Sequence, residues 1–266
     1  MFKLNVSIIF LLLLSELDTL SQTIDSPPKE PAMSGLQAIR NFTVTFVRHG
    51  QTKANAGKII QSRSQGELSE LGIKMAQALG SYWKDETFTR AYTSDLKRCE
   101  DTMTNILKNI KNPPTHLILN PILRERDYGE LENQPTQRIL DIHAIHGGRK
   151  NAIPIPGSEP YELVLERTGK FFNELCGMAD KSNSNQNILV VTHSSWIGTL
   201  LDWLVANSGT FQLLNYDDEK RWLAPKNTAT TSIVIHKKSG NDDKRKVEFL
   251  RIHDFAHLIA AGITPP

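Results

Sequence analysis

The 266-residue chain has only two cysteines, Cys99 and Cys176. A small secreted scaffold held by disulfides uses more, so that architecture is excluded. Both cysteines lie in helical patterns and read as buried free thiols. Neither stands in a context that would activate a catalytic thiolate. The formal net charge is only +2, and no stretch is dense in lysine and arginine. The run Asp242–Lys246 is mixed in sign and reads as a solvated turn, so no nucleic-acid partner is expected. There is no internal repeat, and no apolar run approaches the roughly 20 residues needed to cross a bilayer.

What is present begins with a leader. Lys3 precedes an apolar run from Val6 to Leu14, which then turns polar at Ser15-Glu16-Leu17-Asp18. That order matches a secretory signal peptide. Residues 1–23 are therefore expected to be removed by cleavage between Leu17 and Thr23, giving a secreted protein with no stable membrane insertion. The alternative is an uncleaved anchor or a buried N-terminal helix in a cytoplasmic protein. Residues 24–40 contain Ser26-Pro27-Pro28-Lys29-Glu30-Pro31 and read as a Pro-rich linker. Residues 41–266 are the expected folded domain; 39 % hydrophobic and 23 % charged residues over the whole chain fit a globular protein with a core. Asn41-Phe42-Thr43 is a glycosylation sequon abutting a core strand.

Within that domain, strands and helices alternate. Thr43–Val47, Arg90–Thr93, His116–Leu119 and Asn187–Thr192 read as strands, the last apolar enough to be buried on both faces. A helix capped by Ser69 runs through Ile73, Met75, Ala76, Leu79 and Trp83. A second follows Ser94 or Asp95, and others cover 135–145, 161–178 and 196–206. Residues 230–236 and 247–251 are expected to pair as an edge hairpin around Gly240. Together these predict an α/β layered fold with a mostly parallel sheet.

Chemistry-bearing residues collect directly after the strands. His49 ends the first, Ser94 to Arg98 follow the second, and His193 ends the fourth. Ligands of open α/β sheets bind at the carboxyl ends of strands. Two histidines and two arginines, Arg48 and Arg98, therefore converge on one edge. Arginine suits phosphate oxygens, and an imidazole is neutral and nucleophilic near pH 7. Attack by a histidine on phosphorus needs an acid for the leaving oxygen, and Glu125 is the candidate. Its rival reading is a surface carboxylate paired with Arg124 and Arg126. Lys58, Arg63, Arg124 and Arg126 add positive charge that would suit a second phosphate or a carboxylate. His143 and His146, like His253 and His257, read as surface helix residues rather than metal ligands.

Arg48-His49-Gly50-Gln51-Thr52, Asn55, Ser94-Asp95-Leu96-Lys97-Arg98, Leu123-Arg124-Glu125, Tyr128-Gly129-Glu130 and His193 occur in the order found in the histidine phosphatase superfamily, which the chain resembles over about 43–258. The resemblance implies a three-layer α/β/α, phosphoglycerate mutase-like fold. It also implies a phosphohistidine intermediate at His49 and no metal or cofactor. Glu125 would donate the proton, and Arg48, Arg98 and His193 would hold the phosphoryl group. Asn55, Gln61, Ser62 and Ser194 would line the pocket for a small phosphorylated substrate. Ser194 stands where the family usually has Gly, and the backbone amide is kept. Lys58-Ile59-Ile60-Gln61, Phe171–Cys176 and Pro225-Lys226-Asn227-Thr228 are similar to the TIGAR-like fructose-2,6-bisphosphatases, which implies a sugar bisphosphate such as fructose 2,6-bisphosphate as one candidate. The alternatives are a cofactor-dependent phosphoglycerate mutase and an inactive phosphate-binding module.

Overall fold

The computed structural model describes residues 41–146, 155–238, 240 and 243–266, without the side chains of 143–146. The leader, the linker and the side chains of the His143/His146 pair lie outside what is described. The strands are β1 (Phe42–Arg48), β2 (Arg90–Thr93), β3 (Leu117–Leu119), β4 (Gln186–Thr192), β5 (Phe211–Leu214), β6 (Thr230–Ile235) and β7 (Arg245–Asp254). The helices are α1 (Lys53–Ala56), α2 (Glu70–Tyr82), α3 (Lys97–Leu107), α4 (Gln137–His146), α5 (Tyr161–Lys181), α6 (Ser194–Ala206) and α7 (Ala256–Ala260).

The seven strands form one sheet in the order β3-β2-β4-β1-β6-β7-β5. Its pairs are parallel except for those made by β6, which runs against both β1 and β7. Alternation along β1 and β4 divides the core into two layers, as the period of a strand requires. Phe46 and Val190 face Phe171, Phe172, Trp196 and Leu200 of α5 and α6. Val47 and Val191 face Ala76, Leu79, Met103 and Ile106 of α2 and α3. The result is the expected three-layer, mostly parallel α/β/α fold.

Three sequence expectations change. Residues 230–235 and 245–254 do pair antiparallel, but inside the sheet rather than at its edge. β6 is buried at every position despite the polar start Thr230-Thr231-Ser232. Those hydroxyls find partners inside, as in the Thr45 Oγ1–Ser232 Oγ contact of 2.9 Å. The edge is β5, a four-residue strand too short to leave a periodic signal. Second, α3 starts from Leu96 with no side-chain cap; Ser94 lies at the end of β2 and turns to His193 instead. Third, α6 begins at Ser194, immediately after His193, two residues earlier than its apolar pattern suggests. By contrast Ser69 caps α2 as expected, accepting from the Gly72 amide.

Register is what positions the site. Arg48 pairs with Thr192 and Thr93 with Val191. The next residues are His49, His193 and Ser94, so three neighbouring strands deliver them to one edge. The loop after β1 is pressed against the first turn of α2. A Cβ on Gly72 would stand 1.9 Å from the Gln51 carbonyl oxygen, and one on Gly50 would stand 2.7 Å from that of Gly72. Gly72→Ala should therefore destabilise the fold by about 1–3 kcal/mol through overpacking, seen as a lowered melting temperature, and should slow turnover because the displaced backbone carries His49. An unchanged melting temperature would show that the loop can move aside.

Candidate active site

His49 is 4 % exposed, and its Nδ1 lies 2.8 Å from the Gly50 carbonyl oxygen. A carbonyl only accepts, so Nδ1 carries the hydrogen and Nε2 keeps the lone pair. Burial, reinforced by Arg98 and Arg48, holds the imidazole pKa well below its ordinary value. The ring is therefore neutral, with one nitrogen free for attack. His193 meets it edge-on with ring centroids 5.2 Å apart. Its Nε2 is 3.0 Å from Ser94 Oγ, and Cys99 Sγ lies 3.3 Å from the same atom. Burial and then Arg98 lower the pKa of His193 as well. Cys99 and Cys176 are both buried free thiols.

Arg98 is fully buried. Its guanidinium donates to the Ser64 carbonyl at 2.5 Å and the Ser62 carbonyl at 2.9 Å. Arg48 donates to the Pro225 carbonyl at 2.7 Å. Carbonyl acceptors orient a guanidinium without cancelling its charge, so both cations keep their attraction for an anion. Among the described residues, Nε of each makes no hydrogen bond.

Glu125 is 7 % exposed. Its Oε1 accepts from the Arg126 amide at 3.0 Å, and Oε2 accepts from the Ser195 amide at 3.2 Å, in the first turn of α6. Burial raises its pKa even against those amides and the two site arginines. The surface reading of Glu125 fails, because its flanking arginines are engaged elsewhere. Arg124 Nε reaches Asp95 at 2.7 Å, and Arg126 Nε donates to the Glu159 carbonyl at 3.0 Å.

The expected pocket residues divide. Asn55 Oδ1 accepts from the Thr52 amide at 3.3 Å and from Asn227 Nδ2 at 3.2 Å. Gln61 Oε1 accepts from Thr52 Oγ1 at 2.6 Å. Ser62 donates its hydroxyl to Glu132, so its contribution is the backbone carbonyl that fixes Arg98. Ser194 lines a cleft of about 150 Å³ together with Glu125, Tyr128, Ile139, Asp202 and Trp222. The positive charge expected from neighbouring residues is partly engaged: Arg124 pairs with Asp95, and Arg63 with Asp127 at 3.1 Å. Lys58 is exposed.

Several residues of the site escaped the sequence reading. Thr102 Oγ1 accepts from the Gly50 amide at 2.9 Å; its spacing of four from Arg98 on α3 was the available signal. Asn227 stands in the Pro225–Thr228 stretch noted for its resemblance but without a role there, and Glu132 acts through side-chain contacts that leave no pattern. His253 and His257, expected on a surface helix, are buried and bonded to Thr231 and Thr228.

A family model described as the histidine phosphatase superfamily (branch 1) matches residues 44–239. The fructose-2,6-bisphosphatase TIGAR of Bos taurus is 27 % identical over 268 residues, covering 84 % of this chain and 99 % of the relative. A metal-independent phosphoserine phosphatase of Arabidopsis thaliana is 28 % identical over 178 residues, 65 % of this chain and 72 % of the relative. The crystal structure of a phosphoglycerate mutase from Bacillus anthracis superposes with a TM-score of 0.67 at 22 % identity, covering 84 % of this chain and 97 % of the other. That likeness establishes the fold.

Burial holds His49, His193, His253 and His257 neutral, the last two with pKa values lowered to about 4. An unfolded histidine titrates near 6.5. Between those values the unfolded chain binds protons that the native chain does not, so stability falls as pH falls. Each histidine contributes up to about 1.4 kcal/mol per pH unit; Glu125, raised by burial, opposes them as one group against four. The denaturant midpoint should therefore drop steadily from pH 7 to pH 5. A flat profile would contradict burial of the neutral rings.

Proposed function

The chain belongs to the histidine phosphatase superfamily, and from that premise we propose that it is a metal-independent hydrolase of phosphate monoesters, working through a phosphohistidine at His49 on small phosphorylated metabolites. The observation that carries this is one buried cluster of a neutral imidazole with a free Nε2, a carboxyl whose pKa burial raises, and two arginines fastened by carbonyls. In the first step the Nε2 lone pair of His49 forms a bond to phosphorus. The bond from phosphorus to the ester oxygen breaks, and Glu125 gives its proton to that oxygen. In the second step the Glu125 carboxylate takes a proton from water, whose oxygen attacks phosphorus. The phosphorus–nitrogen bond breaks, its electrons return to Nε2, and orthophosphate leaves with Glu125 protonated again. Arg48, Arg98 and His193 hold the equatorial oxygens, where charge accumulates. The Nδ1–H bond to the Gly50 carbonyl steadies the ring as it becomes cationic.

The leaving group lies in the cleft beside Glu125. The walls of the cleft include Ser194, Asp202, which is bonded to Tyr161 and paired with Arg221, and Trp222, over whose ring the Arg221 guanidinium lies. Similarity to the bovine fructose-2,6-bisphosphatase supports a sugar bisphosphate as one substrate, while the pairing of Arg63 and Arg124 with carboxylates favours monophosphates. The leader at Val6–Leu14 supports a secretory destination, which N-terminal sequencing of the mature chain would test.

Phosphate release from a panel of monoesters should survive chelators, and His49→Ala should abolish it while the protein remains folded; turnover by that variant would overturn the mechanism. Glu125→Gln should slow alkyl phosphates by about 10²–10⁴-fold and aryl phosphates with good leaving groups far less. Equal slowing of both would remove the acid role. Faster transfer between phosphoglycerate isomers than hydrolysis, with a bisphosphate primer present, would identify a mutase.

A further inference from the structure

Thr228 has φ = 60°, a left-handed backbone that a β-branched residue rarely adopts. It is fully buried. Such strain persists where surrounding contacts over-determine it and often marks a functional constraint. The contacts here lead to the nucleophile. The Thr228 amide donates to the Arg48 carbonyl at 3.0 Å and approaches the His49 carbonyl at 3.4 Å. The preceding Asn227 donates through Nδ2 to the His49 carbonyl at 3.0 Å and to Asn55 Oδ1 at 3.2 Å. Two residues before that, the Pro225 carbonyl holds the Arg48 guanidinium. One short loop thus fastens the backbone of both Arg48 and His49.

Something must hold the loop, and hydrogen-bond parity identifies it. Thr228 Oγ1 lies 2.7 Å from the Asn227 carbonyl oxygen and 2.8 Å from His257 Nε2. A hydroxyl has one hydrogen, and a carbonyl only accepts. The Thr228 hydrogen therefore lies on the Asn227 carbonyl, and His257 must donate from Nε2. Its Nδ1 is then a bare acceptor, in agreement with its having no hydrogen-bond partner. His257 is 1 % exposed on α7, which packs against α2, with the Tyr82 ring 6.4 Å away.

We propose that Thr228 and His257 are positioning residues, through which the C-terminal helix sets the orientation of the Arg48–His49 backbone for phosphoryl transfer. The proposal rests on the reading of His49 as nucleophile. It gives a role to a histidine that touches no substrate and to a strained threonine that a glycine or asparagine would replace without strain.

The experiment measures melting temperature, kcat and KM for an aryl phosphate in four variants, with His49→Ala as control. Thr228→Gly relieves the backbone strain but removes the hydroxyl. It should keep or raise the melting temperature while kcat falls about 10- to 100-fold, since misalignment of about 1 Å costs about 10²-fold, and KM should change little. A purely structural threonine would show no such fall. Thr228→Ser keeps the hydroxyl and should retain most of kcat. His257→Gln keeps a donor near the Nε2 position and should also retain most of kcat, whereas His257→Phe should lose it. Wild-type kcat in Thr228→Gly, or equal activity of the Gln and Phe variants, overturns the proposal. Turnover by His49→Ala would instead overturn the underlying reading, and this inference with it.

Discussion

The site depends on the parallel pairing of β1 with β4. Because Arg48 stands opposite Thr192, the two strands end flush, and the residues that follow are both histidines. Strand spacing of about 4.8 Å then sets the separation of the rings, which the 5.2 Å centroid distance reflects. A slip of one residue would turn every side chain of β1 to the other layer. Phe46 and Val47 would exchange cores, so the apolar pattern that builds the two layers also guards the register. Catalytic geometry and core packing are specified by the same residues.

Buried charge is the main cost of this arrangement. Arg98 is fully buried, and carbonyls rather than carboxylates hold its guanidinium. Compare Arg167, paired with Glu159 at 2.8 Å, and Arg245, paired with Asp180 at 2.7 Å. Those two are satisfied cations that tie elements together. Arg48 and Arg98 are oriented but not neutralised, and a buried cation in that state is stabilised by an incoming anion. The distinction explains why counting basic residues near the site misjudges its charge. Arg63 and Arg124 are near in sequence yet paired with Asp127 and Asp95.

Much of this was readable in the residues themselves. The strands that end at Arg48 and just before His193 announce themselves by apolar and β-branched runs, and chain alternation places their ends together with that of β2, which Ser94 follows. Less readable were features whose signal is polar or short. β6 is wholly buried although it begins with two threonines and a serine, because internal hydroxyl partners replace apolar contacts. Ser62, expected to line the pocket, is fully buried and spends its hydroxyl on Glu132, a partner 70 residues away. His257 lies on a five-residue helix with no visible tie to His49. Only the folded backbone shows that Thr228 connects them.

One physical cause acts on both groups proposed to react, His49 and Glu125. Burial favours the uncharged form of any titratable side chain, so it lowers the histidine pKa and raises that of the carboxyl. His49 is thereby held neutral, and Glu125 is shifted toward its protonated form. The arginines do not treat them alike. Their positive charge reinforces the neutrality of His49 but pulls against the proton on Glu125. A bound phosphate dianion offsets that charge, and in doing so strengthens the hold of Glu125 on its proton. The same dianion would favour protonation of His49, but its attacking nitrogen is then directed at phosphorus and shielded from water. Binding of a phosphate ester would thus shift Glu125 further toward its protonated form. Charge on Arg48 and Arg98 that carboxylate partners would have quenched is what couples substrate binding to the readiness of the donor.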